Sequence, residues 1–308
     1  MHRVPAVLAV LGLSVLTLAA CSSAPAGTPG ASCDRPQSDA TVLDFAQTSG
    51  DFGTPALALD APVYVPQTTF TDVTVGDGMR VTSDVQDVQF SIALANGATG
   101  QVIGESGTQV QSVASWGTRF AGLATMLMCA TEGSRIVGAI PSSDMSDEAV
   151  QGLGLTSGQT LVVTVDLQRV YLGAADGAPQ YNDRGGMPSV VTAPDGRPGV
   201  IVPDGAAPDG LVVETLKKGT GPAVGADDTA RVQYLAVDWK TRAVNDSTWQ
   251  SGASAPVAPG SKVAFASQLQ GATVGSQLLV VAPATTDGGS ATIYVVDILG
   301  IDDPAPTR

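Results

Sequence analysis

Residues 278–299 read LLVVAPATTDGGSATIYVVDIL. The runs at the two ends of this stretch, Leu278 to Val281 and Ile293 to Leu299, are rich in β-branched residues and have the length of strands. Pro283 and two adjacent glycines lie in the short segment between them, and such residues are typical of turns. Leu161 to Val170 is a further run of strand type. These runs predict a mainly β protein.

Two segments show helical spacing of apolar residues instead. They contain Phe120, Leu123 and Leu127 in the first half of the chain, and Val263, Phe265 and Leu269 in the second half. We therefore expect each half to be an antiparallel sheet with one short helix, in the α+β class. A tandem immunoglobulin-like sandwich that serves as an envelope spacer is an alternative, but the helical segments around 118–131 and 263–271 argue against it.

Short similarities recur in the same order in the two halves. The matched pieces are Gly76-Asp77-Gly78 with Gly219-Thr220-Gly221, Val88-Gln89-Phe90 with Val232-Gln233-Tyr234, and 130–134 with 272–276. Pro141 likewise matches Pro283, and the first half has extra residues within 142–159. Matches in order at a nearly constant offset indicate an internal duplication.

The N-terminal stretch MHRVPAVLAVLGLSVLTLAAC has the pattern of an export signal. Arg3 precedes an apolar run, Val4 to Leu18, that is short for a membrane span. Small residues then lead to Cys21, so the segment resembles a bacterial lipoprotein signal. That resemblance implies cleavage after residue 20, lipid on the Cys21 thiol, and anchoring on the extracytoplasmic face of the cell membrane. An uncleaved N-terminal anchor is the alternative.

Composition divides the remaining chain. Residues 21–40 are rich in small residues and Pro, and predict a flexible tether. Residues 173–204 contain several turn dipeptides, among them Pro194-Asp195-Gly196, and predict a linker. The two domains are then residues 41–172 and 205–303, and we expect a monomer.

Two cysteines, Cys33 and Cys129, remain after the signal segment. In an oxidising compartment a pair of cysteines commonly forms a bridge. We therefore expect a Cys33–Cys129 disulfide that fixes the N-terminal arm to the first domain. Two separate buried thiols are the alternative.

Charge and histidine content exclude several classes of function. The chain has 29 acidic and 15 basic residues and a formal charge of −14, and so lacks the basic surplus of a nucleic-acid binder. Its one histidine, His2, lies in the signal segment. Cleavage would leave no histidine for a Ser-His-Asp triad, a general base or an HExxH zinc site. We expect no metal and no cofactor.

The second half, from about Gly205 to Asp302, resembles the FK506-binding-protein (FKBP) family of peptidyl-prolyl cis-trans isomerases. The residues that carry this resemblance are 213–221 (VETLKKGTG), 226–234 (ADDTARVQY), 245–249 (NDSTW), 269–271 (LQG), 275–276 (GS), Pro283 and 294–299 (YVVDIL). The first half resembles the same family more weakly, through 76–78 (GDG), 122–123 (GL), 133–135 (GSR) and 160–167 (TLVVTVDL).

The resemblance implies two tandem FKBP-like domains, each a curved antiparallel sheet around one short helix with a shallow apolar pocket. It also implies a mechanism that needs no nucleophile, metal or cofactor. Rotation about an X-Pro bond reduces the charge separation of the amide, so a dry pocket favours the twisted state. This lowers a barrier of about 20 kcal/mol.

Residue by residue, the resemblance implies that Asp246 and Tyr234 are catalytic and orient the substrate. The implied substrate-binding residues are Phe265, at the pocket floor, with Tyr294, Val263, Val257 and Trp249. The aromatic residues could instead be ordinary core residues, and Asp246 could cap a turn.

Departures from the family pattern keep two functions open. Asn245 and Val257 stand where the family has aromatic residues, and the segment from Ala284 to Ser290 lacks the family's tyrosine. In the first half the pattern is poorer, with Ile103-Gly104 in place of Phe-Asp. We expect an isomerase that acts in its second domain on proline-containing unfolded or exported polypeptides. The alternative is a degenerate FKBP-like lipoprotein that acts as a binding or chaperone module.

Overall fold

The computed structural model describes residues 33–35, 39–107, 110–182, 184–286 and 288–303. The predicted signal peptide, Cys21 and most of the predicted tether lie outside these residues. The described part is mostly antiparallel sheet with few helices. No helix within it is long and apolar enough to cross a membrane.

The first half, residues 39–172, begins with a 3₁₀ turn at Ala40–Asp44. Its strands are β1 (Ala46–Ser49), β2 (Ala56–Leu59), β3 (Thr69–Thr74), β4 (Asp87–Asn96), β5 (Val102–Gly107), β6 (Gln111–Ser112), β7 (Arg135–Pro141) and β8 (Thr160–Val170). Its helices are α1 (Val113–Arg119), α2 (Ala121–Leu127) and α3 (Asp147–Gly152), with a 3₁₀ turn at Ser142–Asp144.

The second half, residues 173–303, is poorer in helix. Its strands are β9 (Ala178–Pro179), β10 (Ser189–Thr192), β11 (Pro198–Ile201), β12 (Val212–Lys218), β13 (Ala230–Asp238), β14 (Val244–Ser247), β15 (Ala255–Val257), β16 (Gln277–Ala282) and β17 (Thr292–Ile301). The helix α4 (Thr248–Ser251) and a 3₁₀ turn at Ala266–Gln268 complete it.

The main sheets of the two halves have the same strand order. The first sheet runs β3-β7-β8-β4-β5, with β6 also paired to β4. The second runs β12-β16-β17-β13-β14, with β15 also paired to β13 and β9 added beside β12. Every pairing in both sheets is antiparallel. The strand order agrees with the similarities between the two halves of the sequence.

A β-hairpin covers the back of each sheet. The β1–β2 hairpin buries Leu57 against Ala93 and Val162. The β10–β11 hairpin packs Val200 on Leu235 of the second sheet. Strands covered on both faces read as continuous apolar runs rather than alternating ones, which explains the pattern of β8, where most residues are buried.

Residues 173–204 therefore differ from the predicted linker. They form β9, which pairs with β12, and the β10–β11 hairpin behind the second sheet. Turn residues punctuate this segment, but Val190, Val200 and Val202 between them supply apolar surface that the sheet buries. The turn dipeptides indicated a boundary where the chain makes a packed hairpin.

The number of helices also differs from the prediction of one short helix in each half. Helical spacing around 118–131 corresponds to α1 and α2, which meet at Phe120. The similar spacing around 263–271 yields only the 3₁₀ turn after Phe265. Segments this short form little helix without packing to hold them. The spacing identified the buried Phe265 and Leu269, but Val263 is exposed and the predicted helix does not form.

The N-terminal arm is fixed to the first half at the end of α2. Cys33 and Cys129 form a disulfide, with their Cα atoms 5.6 Å apart. Two residues later, Arg35 makes a bidentate ion pair with Asp72. Its Nη1 also donates to the carbonyls of Met126 and Met128 at 2.8 and 2.7 Å. The guanidinium thus satisfies carbonyls that the helix end leaves open.

Candidate functional site

The register of β14, β13 and β17 places three of the predicted site residues on one face of the second sheet. Asp246 pairs with Ala236, and Ala236 pairs on its other edge with Tyr294. Cross-strand partners point to the same face, and so does Tyr234, which is two positions before Ala236. Asp246, Tyr234 and Tyr294 therefore share the face that carries the core of the second half.

Phe265 lies beneath the two tyrosines. It directly precedes the 3₁₀ turn Ala266–Gln268 and is completely buried. Its ring centroid is 5.3 Å from that of Tyr234 and 5.2 Å from that of Tyr294, within the range of favourable aromatic pairs. Both tyrosines are half-buried and Asp246 is exposed. These four residues, called the aromatic site below, combine a dry floor with an accessible rim.

A hydrogen bond joins the two polar groups of the aromatic site. The hydroxyl of Tyr234 donates to Oδ2 of Asp246 at 2.5 Å. Burial, followed by this hydrogen bond, raises the pKa of Tyr234 to about 12. Burial also raises the pKa of Tyr294. Both phenols are therefore neutral at neutral pH, and only Tyr234 is oriented by the carboxylate.

The structure brings Tyr234, Asp246, Phe265 and Tyr294 together, but places the other three predicted residues differently. Val257 is buried in the core of the second half, where it pairs with Ala230. Val263 is 38% exposed, so it contributes surface rather than a dry floor.

Trp249 lies between the halves. It lines a cavity of about 280 Å³ together with Ser112, Ala114 and Thr118 of the first half. Its indole nitrogen is buried without a hydrogen-bond partner among the described residues. Sequence position beside Asp246 suggested a pocket wall, but α4 turns this side chain toward the first half.

Thr248 is a residue of the site's frame that the sequence analysis did not single out. It is buried, and its Oγ1 accepts a hydrogen bond from the backbone N–H of Tyr234 at 2.8 Å. The same hydroxyl lies beside the side chain of Gln233. The sequence feature that could have identified Thr248 is its position two residues after Asp246, in the stretch that carries the family resemblance.

Strand register shows what stands at the same positions in the first half. A bulge directly precedes Phe90 in β4, and another directly precedes Val232 in β13. Aligning the bulges matches Ile92, not Phe90, with Tyr234. The match of Phe90 with Tyr234 that the sequence indicated is therefore wrong by two positions. A shift of two residues keeps the same face of a strand, so the apolar pattern alone could not reveal it.

The first half has no polar counterpart of the aromatic site among the residues so matched. In the first half, Gly104 and Val163 both pair with Leu94. In the second half, Asp246 and Tyr294 both pair with Ala236, so Gly104 matches Asp246 and Val163 matches Tyr294. Ile92 and Val163 are buried and aliphatic. Glu105, a candidate replacement carboxylate, pairs with Ala93, whose side chain packs in the core behind the sheet. It therefore points away from this position.

The extra residues of the first half cover its sheet. Leu123 lies seven residues before Ala130, as Phe265 lies seven before the matching Ala272, and is therefore its counterpart. Met145, Ala149 and Leu155, all from 142–159, are buried in the same core as Leu123. An isolated bridge between Phe120 and Met145 ties this segment to the helices. The second half has only the short 284–290 segment at the corresponding place.

No group of three or more His, Cys, Asp or Glu side chains that could hold a metal ion occurs within the described ranges. The groups that can act on a ligand in the aromatic site are therefore two phenols, one carboxylate and an apolar floor.

Comparison with known proteins gives matches among solved structures alone. No family model and no curated protein matches the chain. The three FKBP domains of wheat FKBP73 are similar at 14% identity, over 76% of this chain and 94% of that one, with a TM-score of 0.35. A peptidyl-prolyl cis-trans isomerase from Pseudomonas syringae is 21% identical over 35% of this chain and 77% of that one, with a TM-score of 0.29.

The putative peptidyl-prolyl cis-trans isomerase FKBP12 from Mycobacterium tuberculosis is 24% identical over 31% of this chain and 86% of that one, with a TM-score of 0.25. All three TM-scores lie below 0.5. By their names, the solved structures similar to this chain are FKBP domains and peptidyl-prolyl cis-trans isomerases, the family that its sequence resembles.

Proposed function

We propose that this protein is a peptidyl-prolyl cis-trans isomerase that acts on exported, proline-containing polypeptides. The observation that carries the proposal is the hydrogen-bonded Tyr234–Asp246 pair above the fully buried ring of Phe265. The residues 41–172 and 205–303 form two FKBP-like domains, and the second holds the active site.

The aromatic site favours the twisted amide over the planar one. A proline ring that packs on the accessible parts of the Tyr234 and Tyr294 rings, above the fully buried Phe265, leaves water as it binds. Twisting the X-Pro bond lowers the charge separation of the amide, so this apolar floor stabilises the twisted state relative to the planar ground state. Asp246 and Tyr234 at the rim orient the substrate backbone. No bond to the substrate is made or broken.

Differences between the halves support activity in the second. At the positions of Tyr234 and Tyr294 the first half has Ile92 and Val163, and at the position of Asp246 it has Gly104. Neither a hydroxyl nor a carboxylate remains there to orient a peptide.

The cellular setting of the proposal derives from the N-terminal sequence. Cleavage after residue 20 and lipid on Cys21 would anchor the chain to the extracytoplasmic face of the cell membrane. Clients there are newly exported chains, whose X-Pro bonds isomerise over tens to hundreds of seconds without a catalyst.

A protease-coupled proline-peptide assay on the full chain tests the proposal. We expect acceleration above the uncatalysed rate, and a loss of about tenfold or more in kcat/KM for Phe265→Leu, which mimics the first half. Leu123→Met, a volume-conserving change at the matched position of the first half, is the control and should leave kcat/KM unchanged. A folded wild-type chain without acceleration would refute the proposed activity.

Exposed apolar residues favour a second candidate, a module that binds unfolded clients without turnover. Val244, two positions before Asp246, is 48% exposed, and Val263 is 38% exposed. Asn245, between Val244 and Asp246, stands where the family pattern has an aromatic residue. This candidate predicts that the chain suppresses aggregation of an unfolded client while X-Pro isomerisation is not accelerated, and that Asp246→Ala leaves the suppression intact.

A further inference from the structure

The backbone of Tyr234 lies at a gap in the sheet. On one edge β13 is paired with β17 along its length. On the other edge it pairs with β15 from Ala230 to Val232 and with β14 from Leu235 onward. No strand covers this edge at Tyr234, because the chain leaves β14 and returns as β15 through residues 248–254.

Thr248 fills the gap with its side chain. Its Oγ1 accepts from the N–H of Tyr234 at 2.8 Å and lies 3.2 Å from the Tyr234 carbonyl oxygen. The hydroxyl thus gives the Tyr234 N–H the acceptor that a strand would otherwise supply, while its own proton is donated to Oε1 of Gln233. The position of Tyr234 relative to Asp246, two residues before Thr248, depends on where residues 248–254 lie.

Residues 248–254, called the crossover segment below, contain little that would fix them alone. The helix α4 has four residues and ends at Gly252, which has a left-handed backbone (φ 74°). So short a helix is not stable by itself. From its own half, Arg231 Nη1 donates to the carbonyl of Ser254 at 3.4 Å.

The first half holds the end of the crossover segment, residues 252–254, more closely than the second half does. The backbone N–H of Ser254 donates to Oδ2 of Asp87 at 2.9 Å, and the Ser254 hydroxyl donates to the same oxygen. Ser115 Oγ donates to the carbonyl of Gly252 at 3.1 Å. Asp87 is 1% exposed, so these hydrogen bonds are shielded from water and lose little to solvent competition.

We propose that Asp87 of the first half is a positioning residue for the aromatic site of the second half. It fixes Ser254 and hence the crossover segment, which carries Thr248 against the backbone of Tyr234. The half that lacks a polar site of its own thereby completes the frame of the other. This inference rests on the proposed function for its kinetic consequence, but its structural consequence can be measured separately.

Amide hydrogen exchange of Tyr234, followed by NMR in the full chain, tests the structural part. We expect Asp87→Ala to speed this exchange about tenfold, because the Thr248 hydroxyl that accepts from the Tyr234 N–H is no longer held in place. Asp87→Asn keeps an acceptor oxygen for Ser254 and should restore slow exchange. Leu57→Ala, which creates a cavity in the core behind the first sheet, is the control for general loss of stability and should leave the exchange of Tyr234 slow.

Kinetics test the functional part. Asp87→Ala should lower kcat/KM for a proline peptide about fivefold, Asp87→Asn should recover most of it, and Leu57→Ala should not lower it. If Asp87→Ala does not fold, Ser254→Ala, which removes one of the two hydrogen bonds, should speed Tyr234 exchange about threefold.

The outcomes separate the two proposals. Equal Tyr234 exchange in Asp87→Ala and Leu57→Ala, or no effect of Ser254→Ala where that variant is needed, overturns the positioning role. Faster exchange in Asp87→Ala with no isomerase activity in the wild-type chain supports the positioning role and overturns the proposed function.

Discussion

Tyr234 and Tyr294 form a matched pair within the aromatic site. Their ring centroids lie 5.3 and 5.2 Å from that of Phe265, and both side chains are half-buried. Only the hydroxyl of Tyr234 donates to Asp246. Replacing each tyrosine with Phe therefore removes the same atom, but the hydroxyl of Tyr234 bonds to the carboxylate, whereas that of Tyr294 has a side-chain hydrogen bond with Thr292.

The expected effect follows from the geometry. A rise in the pKa of Tyr234 from 10 to about 12 corresponds to roughly 3 kcal/mol between its neutral and ionised forms. Burial causes the largest part of this rise, and the carboxylate of Asp246 is exposed to water. The hydrogen bond itself then contributes about 1 kcal/mol. Tyr234→Phe should thus lower kcat/KM about fivefold, and Tyr294→Phe should change it less than twofold.

The protease-coupled proline-peptide assay measures both variants against the wild-type chain, with urea unfolding as a check that both are folded. Asp246→Ala combined with Tyr234→Phe should cost little more than either change alone, because both remove the same interaction. No loss in either variant would show that the site needs aromatic bulk alone. Equal losses in both would show that the hydroxyls matter regardless of the carboxylate, and either result would refute a role for the Tyr234–Asp246 pair.

Further predictions concern stability. Arg35→Ala should lower the free energy of unfolding by about 2 kcal/mol, because hydrogen bonds to Asp72 and to the carbonyls of Met126 and Met128 at the end of α2 are lost. A change below about 0.5 kcal/mol in urea unfolding would contradict this. Replacing Cys33 and Cys129 together with Ser should lower it by about 3–4 kcal/mol, since the bridge closes a loop with a sequence separation of 96; the same unfolding midpoint with and without reductant would argue against it. Burial raises the pKa of Asp297 from 3.8 to about 6, so the folded chain binds more protons than the unfolded chain between these values. The contribution of Asp297 is therefore complete below about pH 4 and is lost as pH rises through 6, by about 2–3 kcal/mol, and Asp297→Asn should reduce this decline in urea unfolding measured across that range.

Much of the site was predictable because the family resemblance is carried by local sequence. Asp246 follows from the NDST stretch, and Tyr234, Phe265 and Tyr294 follow from their places beside it. Val263 and Trp249 were harder, because their surroundings depend on a turn that is too short to be helical and on a contact with the other half. The role of Thr248 could not be predicted from the sequence, because it fills a gap between two short strands that exists only once those strands are paired.

Strand register also could not be predicted from the pattern of apolar residues. The match of Phe90 with Tyr234 kept both residues on the same face of the strand, and the bulges in β4 and β13 showed that Ile92 is the counterpart. Likewise, the turn residues in 173–204 predicted a break between domains. The valines between those turns pack on the back of the second sheet, where a partner surface decides the outcome.

The sequence by itself determined the strands, the turns, the antiparallel character of both halves and four residues of the aromatic site, because β-branched runs, glycine turns and a family-like stretch act locally along the chain. The tertiary structure decided which half brings two phenols, a carboxylate and a buried ring together, and which residues of the other half contact the crossover segment. Those properties depend on pairing register and on hydrogen bonds such as that from Ser254 to Asp87, which join residues 167 positions apart. A local pattern contains no information about contacts at that separation.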